Sequence, residues 1–75
     1  MKDINKVKSI LKAINILECF FDDNDPSFRE ICQKTNLSNG TAYRILETLI
    51  TKKYISKNIK DGKYAIGNAL FILSK

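Results

Sequence analysis

Apolar residues recur every three or four positions in the first part of the chain, a spacing that lines one face of a helix. The pattern predicts a helix from Ile4 to Phe21. We expect its core face to consist of Val7, Ile10, Leu11, Ile14, Leu17 and Phe21. A second apolar line runs beside this face and is formed by Ala13, Ile16 and Phe20. The helix is therefore either buried on all sides or in contact with another chain.

Acidic residues and a proline follow the first helix and predict its end. Asp22, Asp23 and Asp25 oppose the helix dipole, and Pro26 restricts Asp25 to extended geometry.

A short second helix follows, and a tight turn separates it from a third. Ser27 and Glu30 have the spacing of a capping box, and we expect this helix to end between Lys34 and Asn36. Asn36 is expected in the left-handed conformation, and Ser38 is expected to cap the next helix. Two helices joined in this way form a helix-turn-helix.

The third helix, predicted from about Asn39 to Lys52, has two distinct faces. Its core face carries Ala42, Ile45, Leu46, Leu49 and Ile50. Its opposite face carries Gly40, Thr41, Tyr43, Arg44, Glu47, Thr48 and Thr51. An arginine beside hydroxyl groups suits base reading, because a guanidinium can bond guanine O6 and N7 together.

A β-hairpin is predicted from Tyr54 to Ile66, joined by Asp61-Gly62. Ile55 and Ile66, with Tyr64 as a further candidate, are expected to face the core. Lysines are left at or near the hairpin tip, namely Lys57, Lys60 and Lys63. Residues 69–74 then resemble the first turns of another helix.

Length and charge limit the classes of function that the chain can have. Seventy-five residues form one small domain without room for a deep substrate cleft. The net charge of +5 is unevenly spread: residues 1–33 hold five basic and six acidic residues, whereas residues 34–75 hold eight basic and two acidic ones. The second half is therefore the part expected to face an anionic partner, although lysine-rich surfaces also serve solubility alone.

The sequence offers no catalytic chemistry. It has no histidine, no nucleophile beside a base and no glycine-rich phosphate loop, so we expect no enzyme and no cofactor. Cys19 and Cys32 lack metal-ligand spacing. We expect them to be reduced thiols in the core of a cytoplasmic protein, and the alternative is one disulfide between them. No signal peptide or membrane span is apparent.

These elements together predict a mainly α fold with a small β-hairpin, the winged helix-turn-helix. The function this fold predicts is sequence-specific binding of double-stranded DNA, with the third helix in the major groove and the hairpin lysines on the backbone. The predicted DNA contacts are Ser27, Arg29, Ser38, Asn39, Gly40, Thr41, Tyr43, Arg44, Lys53, Lys57, Lys60 and Lys63. The alternative is a winged helix that binds a protein instead of DNA. The alternative for Arg44 is a structural role, in which it pairs with Glu47 or Thr48 on its own helix.

The order of three segments resembles the N-terminal domain of IclR-type transcription regulators. They are the opening SILKAINILE at residues 9–18, the third-helix run TAYRILETL at residues 41–49 and the wing end GKYAIG at residues 62–67. The resemblance covers nearly the whole chain.

This resemblance implies a transcription regulator that binds palindromic operators as a homodimer. Family members pair through the first helix, which would assign Ala13, Ile16 and Phe20 to the dimer interface. The resemblance also implies that residues 1–67 form the DNA-binding domain and that residues 68–75 begin a linker to a C-terminal domain, absent here, that binds a small-molecule effector.

Four positions depart from the family pattern. Gly40 stands where a serine is common, Asn39 where a basic or small residue is common, and Arg29 where a serine or threonine often caps the second helix. Asn36 replaces the usual turn glycine. We therefore do not expect the operator of a typical member, and Arg29 is a candidate phosphate contact.

Overall fold

A computed structural model describes residues 7–22 and 25–75 of the chain. The helices are α1 (Lys8–Glu18), α2 (Phe28–Thr35), α3 (Asn39–Thr51) and α4 (Asn68–Leu73), and the strands are β1 (Ile55–Lys57) and β2 (Tyr64–Ile66). Three helices followed by an antiparallel hairpin form a winged helix-turn-helix, which confirms the predicted fold. The predicted start of the first helix at Ile4 and the loop residues Asp23 and Asn24 lie outside the described residues.

The core lies where α1, α2 and α3 meet the hairpin. Its buried side chains come from every one of these elements and include Ile16, Phe20, Ile31, Leu46, Ile55 and Tyr64. The predicted core face of α3 is confirmed, because Ala42 and Leu46 are fully buried while Ile45, Leu49 and Ile50 pack against the cluster.

Helix α1 faces the core mainly with its second apolar line, and of the predicted core face Leu17 packs against the core. Ile16 is fully buried and Phe20 is 7% exposed, whereas the predicted core residues Ile10 and Ile14 are 56% and 43% exposed. The assignment of Ile16 and Phe20 to a dimer interface is therefore wrong, since the protein's own core already encloses them, and Ala13 beside them is half-buried. Both apolar lines satisfy helical periodicity, and packing against α2 and α3 decides between them.

The end of α1 is tighter than a regular α-helix. The N–H groups of Cys19, Phe20 and Phe21 donate to carbonyls three residues earlier, each at 3.1 Å. These 3₁₀-type bonds end the α-helix at Glu18 instead of Phe21 and satisfy the last carbonyl groups. Phe20 lies in the core on the same side as Ile16, while Phe21 is left 81% exposed.

The turn between α2 and α3 follows the prediction closely. Ser27 and Glu30 form the reciprocal capping box, so the cap of α2 is Ser27 and position 29 takes no part in it. Asn36 ends α2 in the left-handed conformation with φ 60°, and its N–H donates to the Cys32 carbonyl at 2.8 Å. Ser38 caps α3 as predicted. Local hydrogen bonds therefore define the start of α2, its end at Asn36 and the start of α3.

The end of α3 is a Schellman motif whose left-handed residue is a lysine. The Tyr54 N–H donates to the Leu49 carbonyl and the Lys53 N–H to the Ile50 carbonyl, both at 2.9 Å, while Lys53 has φ 65°. The Lys53 carbonyl in turn accepts from the Ala69 N–H at 3.0 Å. A Cβ at Gly67 would overlap this carbonyl, so glycine is required where the chain leaves the hairpin.

The hairpin, residues 55–66, is called the wing below. Ile55 pairs with Ile66 and Lys57 with Tyr64. Ile55 and Tyr64 are buried as expected, but Ile66 is 38% exposed, because it borders an open groove between α1 and α4 instead of the core.

The wing turn is longer than the predicted Asp61-Gly62 connection. The Asn58 N–H donates to the Lys63 carbonyl at 2.8 Å, which encloses residues 59–62. Gly62 occupies the left-handed position of this loop with φ 73°.

Candidate nucleic-acid interface

The first turn of α3 is held by its cap and open to solvent. The Ser38 Oγ accepts from the Thr41 N–H at 3.3 Å and donates to the Thr41 Oγ1 at 3.0 Å. Thr41 is half-buried, whereas Asn39 and Gly40 are exposed. The N–H groups of Asn39 and Gly40 begin the helix, where backbone donors and the helix dipole favour an anion. Thr41 instead uses its hydroxyl within the cap.

Arg44 projects from the exposed face of α3 toward the start of the helix. One guanidinium nitrogen, Nη1, lies 3.8 Å from the position that a Cβ on Gly40 would take. Thr48 uses its hydroxyl to donate to the Arg44 carbonyl, and across residues 7–22 and 25–75 the guanidinium forms no ion pair with Glu47. The plainer role for Arg44, pairing along its own helix, is therefore not what the structure shows. The guanidinium is available to a partner.

Tyr43 and Glu47 differ in their surroundings although both were predicted on the open face. Tyr43 is 53% exposed. Glu47 is half-buried, and its charge acts on Tyr64: burial raises the pKa of the Tyr64 phenol, and the Glu47 carboxylate raises it further. Glu47 therefore lies near Tyr64 at the base of the wing. An acid that faced a phosphate would lie farther from the wing base.

A polar cleft of about 650 Å³ separates the start of α3 from α2. Arg29 and Asn39 line it from the two helices, together with Gln33. Gln33 was not among the predicted contacts, although its i, i+4 spacing from Arg29 places both on one face of α2. Ser27 is less available, because its Oγ accepts from the Glu30 N–H at 3.1 Å.

The wing lysines have unequal freedom. The Lys57 Nζ lies 5.6 Å from the centroid of the Tyr64 ring, a cation–π arrangement across the two strands. Lys60 and Lys63 are exposed in the loop, and Lys53 is exposed at the end of α3. Lys57 therefore has a role within the fold, whereas the other three lysines extend into solvent.

The cysteines belong to the fold and not to a reactive site. Both thiols are free, and burial raises the pKa of Cys19, an effect that the Lys34 charge opposes. The Cys19 thiol faces the Asn15 carbonyl at 3.5 Å. In the part of the chain that the structure describes, no cluster of three or more metal-binding side chains occurs.

The helices of residues 7–22 and 25–75 are also too short or too polar to cross a bilayer.

Comparison with known proteins identifies the family. The model of the IclR helix-turn-helix domain matches residues 9–58, two thirds of the chain. The chain belongs to the IclR helix-turn-helix family. A curated relative, the HTH-type transcriptional regulator KdgR of Escherichia coli (strain K12), is 31% identical over 72 residues, which are 96% of this chain and 27% of KdgR. The chain thus spans about a quarter of the length of this relative.

Solved structures of the IclR family share the fold. An IclR family transcriptional regulator from Brucella abortus superposes with a TM-score of 0.84 at 26% identity, covering 92% of this chain and 26% of that one. An IclR transcriptional regulator from Alicyclobacillus acidocaldarius gives a TM-score of 0.86 at 22% identity, covering 92% and 28%. These relatives are transcriptional regulators and not enzymes, which confirms the prediction that the chain is not an enzyme.

Proposed function

We propose that this IclR-type domain binds double-stranded DNA in a sequence-specific manner and acts in transcription regulation. The observation that carries the proposal is the capped, solvent-exposed start of α3, where Asn39, Gly40 and the unpaired guanidinium of Arg44 lie together. A helix-turn-helix consists of two helices, here α2 and α3, and the start of the latter enters the major groove. Arg44 would read a base there, with Tyr43 beside it, and the Ser38 cap would approach a phosphate.

Cationic groups on both sides of α3 supply the phosphate contacts in this arrangement. Lys53 follows the end of the helix, and Lys60 and Lys63 extend from the wing. Arg29 would contact a phosphate from the cleft at the other end, with its neighbour Gln33. Such contacts give affinity without sequence preference, whereas Arg44 selects the base.

The proposal includes a homodimer that forms through the exposed face of α1. Val7, Ile10, Leu11 and Ile14 are each more than 40% exposed, and Phe21 continues this face. The face adjoins an apolar groove of about 360 Å³ that is lined by Ile66 and Leu70 as well as by α1. A contiguous apolar surface of this kind is typical of a protein interface. Two-fold pairing would make the preferred operator palindromic.

The division of the chain follows from the same proposal. Residues 1–67 would form the DNA-binding unit, and α4 would begin a linker toward the further part that relatives such as KdgR possess. A small-molecule effector would act through that further part. A regulator of chromosomal genes would work in the cytoplasm.

Selection of bound duplexes from a random library tests the proposal directly. We expect one enriched motif for the wild-type chain. Arg44→Ala should relax the preference at one base position by about 1–3 kcal/mol, because a bidentate base contact is lost. Thr51→Ala is the matched control, an exposed residue at the far end of α3 whose removal should leave the motif unchanged.

Absence of any enriched motif, or an unchanged motif in Arg44→Ala, would contradict sequence-specific binding. The alternative of a protein-binding winged helix requires an apolar patch on α3 or the wing. The exposed side of α3 is polar apart from Tyr43, and the exposed large apolar residues of the wing lie apart, Ile59 at its tip and Ile66 at its base. Both observations favour DNA as the partner.

A further inference from the structure

The start of α3 contains an asparagine followed directly by a glycine, Asn39-Gly40. The chain has seven asparagines, and Asn39 is the only one with glycine after it. Asparagine is among the thermolabile residues. Its amide is lost most easily in front of glycine, because glycine has no side chain to shield its backbone nitrogen. The sequence alone therefore marks this pair as a site of spontaneous deamidation, provided that the fold leaves it accessible.

Both reacting groups are free in the folded domain. Asn39 and Gly40 are exposed, and in the part of the chain that the structure describes neither the Asn39 amide nor the Gly40 N–H forms a hydrogen bond. The Ser38 cap does not protect them, because its Oγ accepts from the Thr41 N–H and its carbonyl from the Ala42 N–H. The Gly40 N–H thus lies in the first turn, where donors lack helix partners and helices fray.

Comparable positions elsewhere in the domain are blocked. Asn68 is the first residue of α4, as Asn39 is of α3, but the N–H of Ala69 after it donates to the Lys53 carbonyl at 3.0 Å. The Asp-Gly pair of the wing is held in the same way, because the Gly62 N–H donates to a backbone carbonyl at 2.8 Å. A nitrogen that is held by such a bond must first break it before it can attack a side chain.

A cation lies beside the reactive pair. The Arg44 Nη1 lies 3.8 Å from the position that a Cβ on Gly40 would take. The attack places negative charge on the carbonyl oxygen of the asparagine side chain, and a nearby guanidinium and the positive end of a helix dipole both stabilise such charge. The charges that would attract a DNA phosphate therefore also favour the reaction.

We propose that Asn39-Gly40 is a deamidation site, and that its conversion weakens DNA binding while the fold stays intact. The Gly40 nitrogen attacks the Asn39 Cγ and loses its proton, the bond from Cγ to the amide nitrogen breaks, and ammonia leaves. Water then opens the cyclic imide to aspartate or isoaspartate, so the reaction needs no oxidant or reductant. The part of the inference that concerns DNA rests on the proposed function.

An aspartate at position 39 would add a negative charge where the domain is proposed to meet phosphates. Asn39 lines the same cleft as Arg29, so the new carboxylate would also compete with a phosphate for that guanidinium. The helix would not suffer, because the helix dipole favours an acid in the first turn. Deamidation would therefore lower DNA affinity without lowering stability.

Peptide mapping by mass spectrometry, after incubation of the protein at mildly alkaline pH, tests the chemical step. We expect the mass gain of deamidation at Asn39 and none over the same period at Asn68. Gly40→Ala should slow the gain severalfold, because its Cβ shields the nitrogen, and this Cβ makes only an ordinary contact with Arg44. No gain at Asn39, an equal gain at Asn68, or a rate unchanged by Gly40→Ala would overturn the inference.

The affinity of Asn39→Asp for the selected duplex tests the consequence. This variant should bind about tenfold more weakly than the wild type or worse, because like charges then face each other, while its Tm is unchanged or higher. Asn68→Asp is the matched control, which adds the same charge at the first residue of α4 and should lose much less affinity. Wild-type affinity in Asn39→Asp, or equal losses in the two variants, would contradict the inference.

Failure of the proposed function is distinguishable from failure of this inference. If the domain does not bind DNA in a sequence-specific manner, the freshly purified wild type selects no motif, even where Asn39 gains the mass of deamidation. If only the inference fails, the wild type selects its motif and keeps its affinity throughout the incubation.

Discussion

Helices α1 and α3 pack against the same core, but they present opposite kinds of surface to the outside. Helix α3 buries Ala42 and Leu46 and exposes a polar face that contains Arg44. Helix α1 buries Ile16 and exposes further apolar residues, including Ile10 and Ile14. A helix with a polar outer face has no apolar surface left to bury once the domain has folded. A helix with an apolar outer face still gains free energy when another surface buries that face. Under the proposed function, the polar face of α3 would meet DNA and the apolar face of α1 would meet a second copy of the chain.

The two sides of α1 should respond very differently to truncation. Ile16→Ala should lower the free energy of unfolding by about 2–5 kcal/mol, because it leaves a cavity in the core. Ile14→Ala should cost much less at a protein concentration at which any dimer is dissociated, since its side chain is already 43% exposed. Urea unfolding of both variants measures the contrast. If Ile16→Ala does not fold, the milder Ile16→Val should still lower the free energy of unfolding by about 0.5–1.5 kcal/mol.

Self-association should show the reverse order. Sedimentation of Ile14→Ala at high concentration should show weaker pairing than the wild type, because the exposed face of α1 is smaller. Equal unfolding costs for Ile14→Ala and Ile16→Ala in the monomer would instead contradict the assignment of the two faces.

The helices also differ at their first turns, and removal of a cap tests this difference. Ser38→Ala should lower the free energy of unfolding by about 1 kcal/mol, because the Thr41 N–H loses its side-chain acceptor. Val7→Ala is the matched change at α1, whose N-cap makes no side-chain hydrogen bond, and it should cost less. Thermal unfolding of the two variants provides the comparison. A larger loss at Val7 would mean that the start of α1 depends on packing that the exposed valine does not indicate.

The smallest effect concerns pH and Tyr64 of β2, whose phenol is affected by Glu47 of α3. Burial, helped by Glu47, raises the pKa of Tyr64 above its ordinary value of 10.0. The folded protein then binds this proton more tightly than the unfolded chain, so the resulting stability is present below pH 10 and is lost as the pH rises through the folded pKa. Tyr64→Phe should remove this part of the alkaline loss while changing little at pH 7. Unfolding measured from pH 7 to 11 checks it, and an unchanged alkaline decline would show that other groups cause the loss.

Local chemistry made much of the fold predictable. The capping box at Ser27, the left-handed Asn36 and the cap at Ser38 each depend on residues within a few positions of one another, and all three are present. The faces of α3 were also predictable, because its apolar residues form a single stripe. The structure likewise places Arg44 on the exposed face of α3, at its accessible start.

Features that depend on distant contacts were not predictable. The Schellman end of α3 uses a left-handed Lys53, a residue with no intrinsic preference for that conformation, and its carbonyl is held by Ala69. Gln33 becomes a candidate only once α2 and α3 are seen to share a cleft with Asn39.

The amino-acid sequence by itself determined the order of the helices, the hairpin after them and the polar character of the exposed face of α3, because these follow from interactions between residues close in the chain. Only the tertiary structure decided which side of α1 faces inward. Both sides carry apolar residues at helical spacing, so periodicity does not distinguish them. The choice depends on the shapes of α2 and α3, against which the helix packs. The enclosure of Ile16 and Phe20 leaves Ile10 and Ile14 outside, and this choice sets which apolar residues the helix exposes.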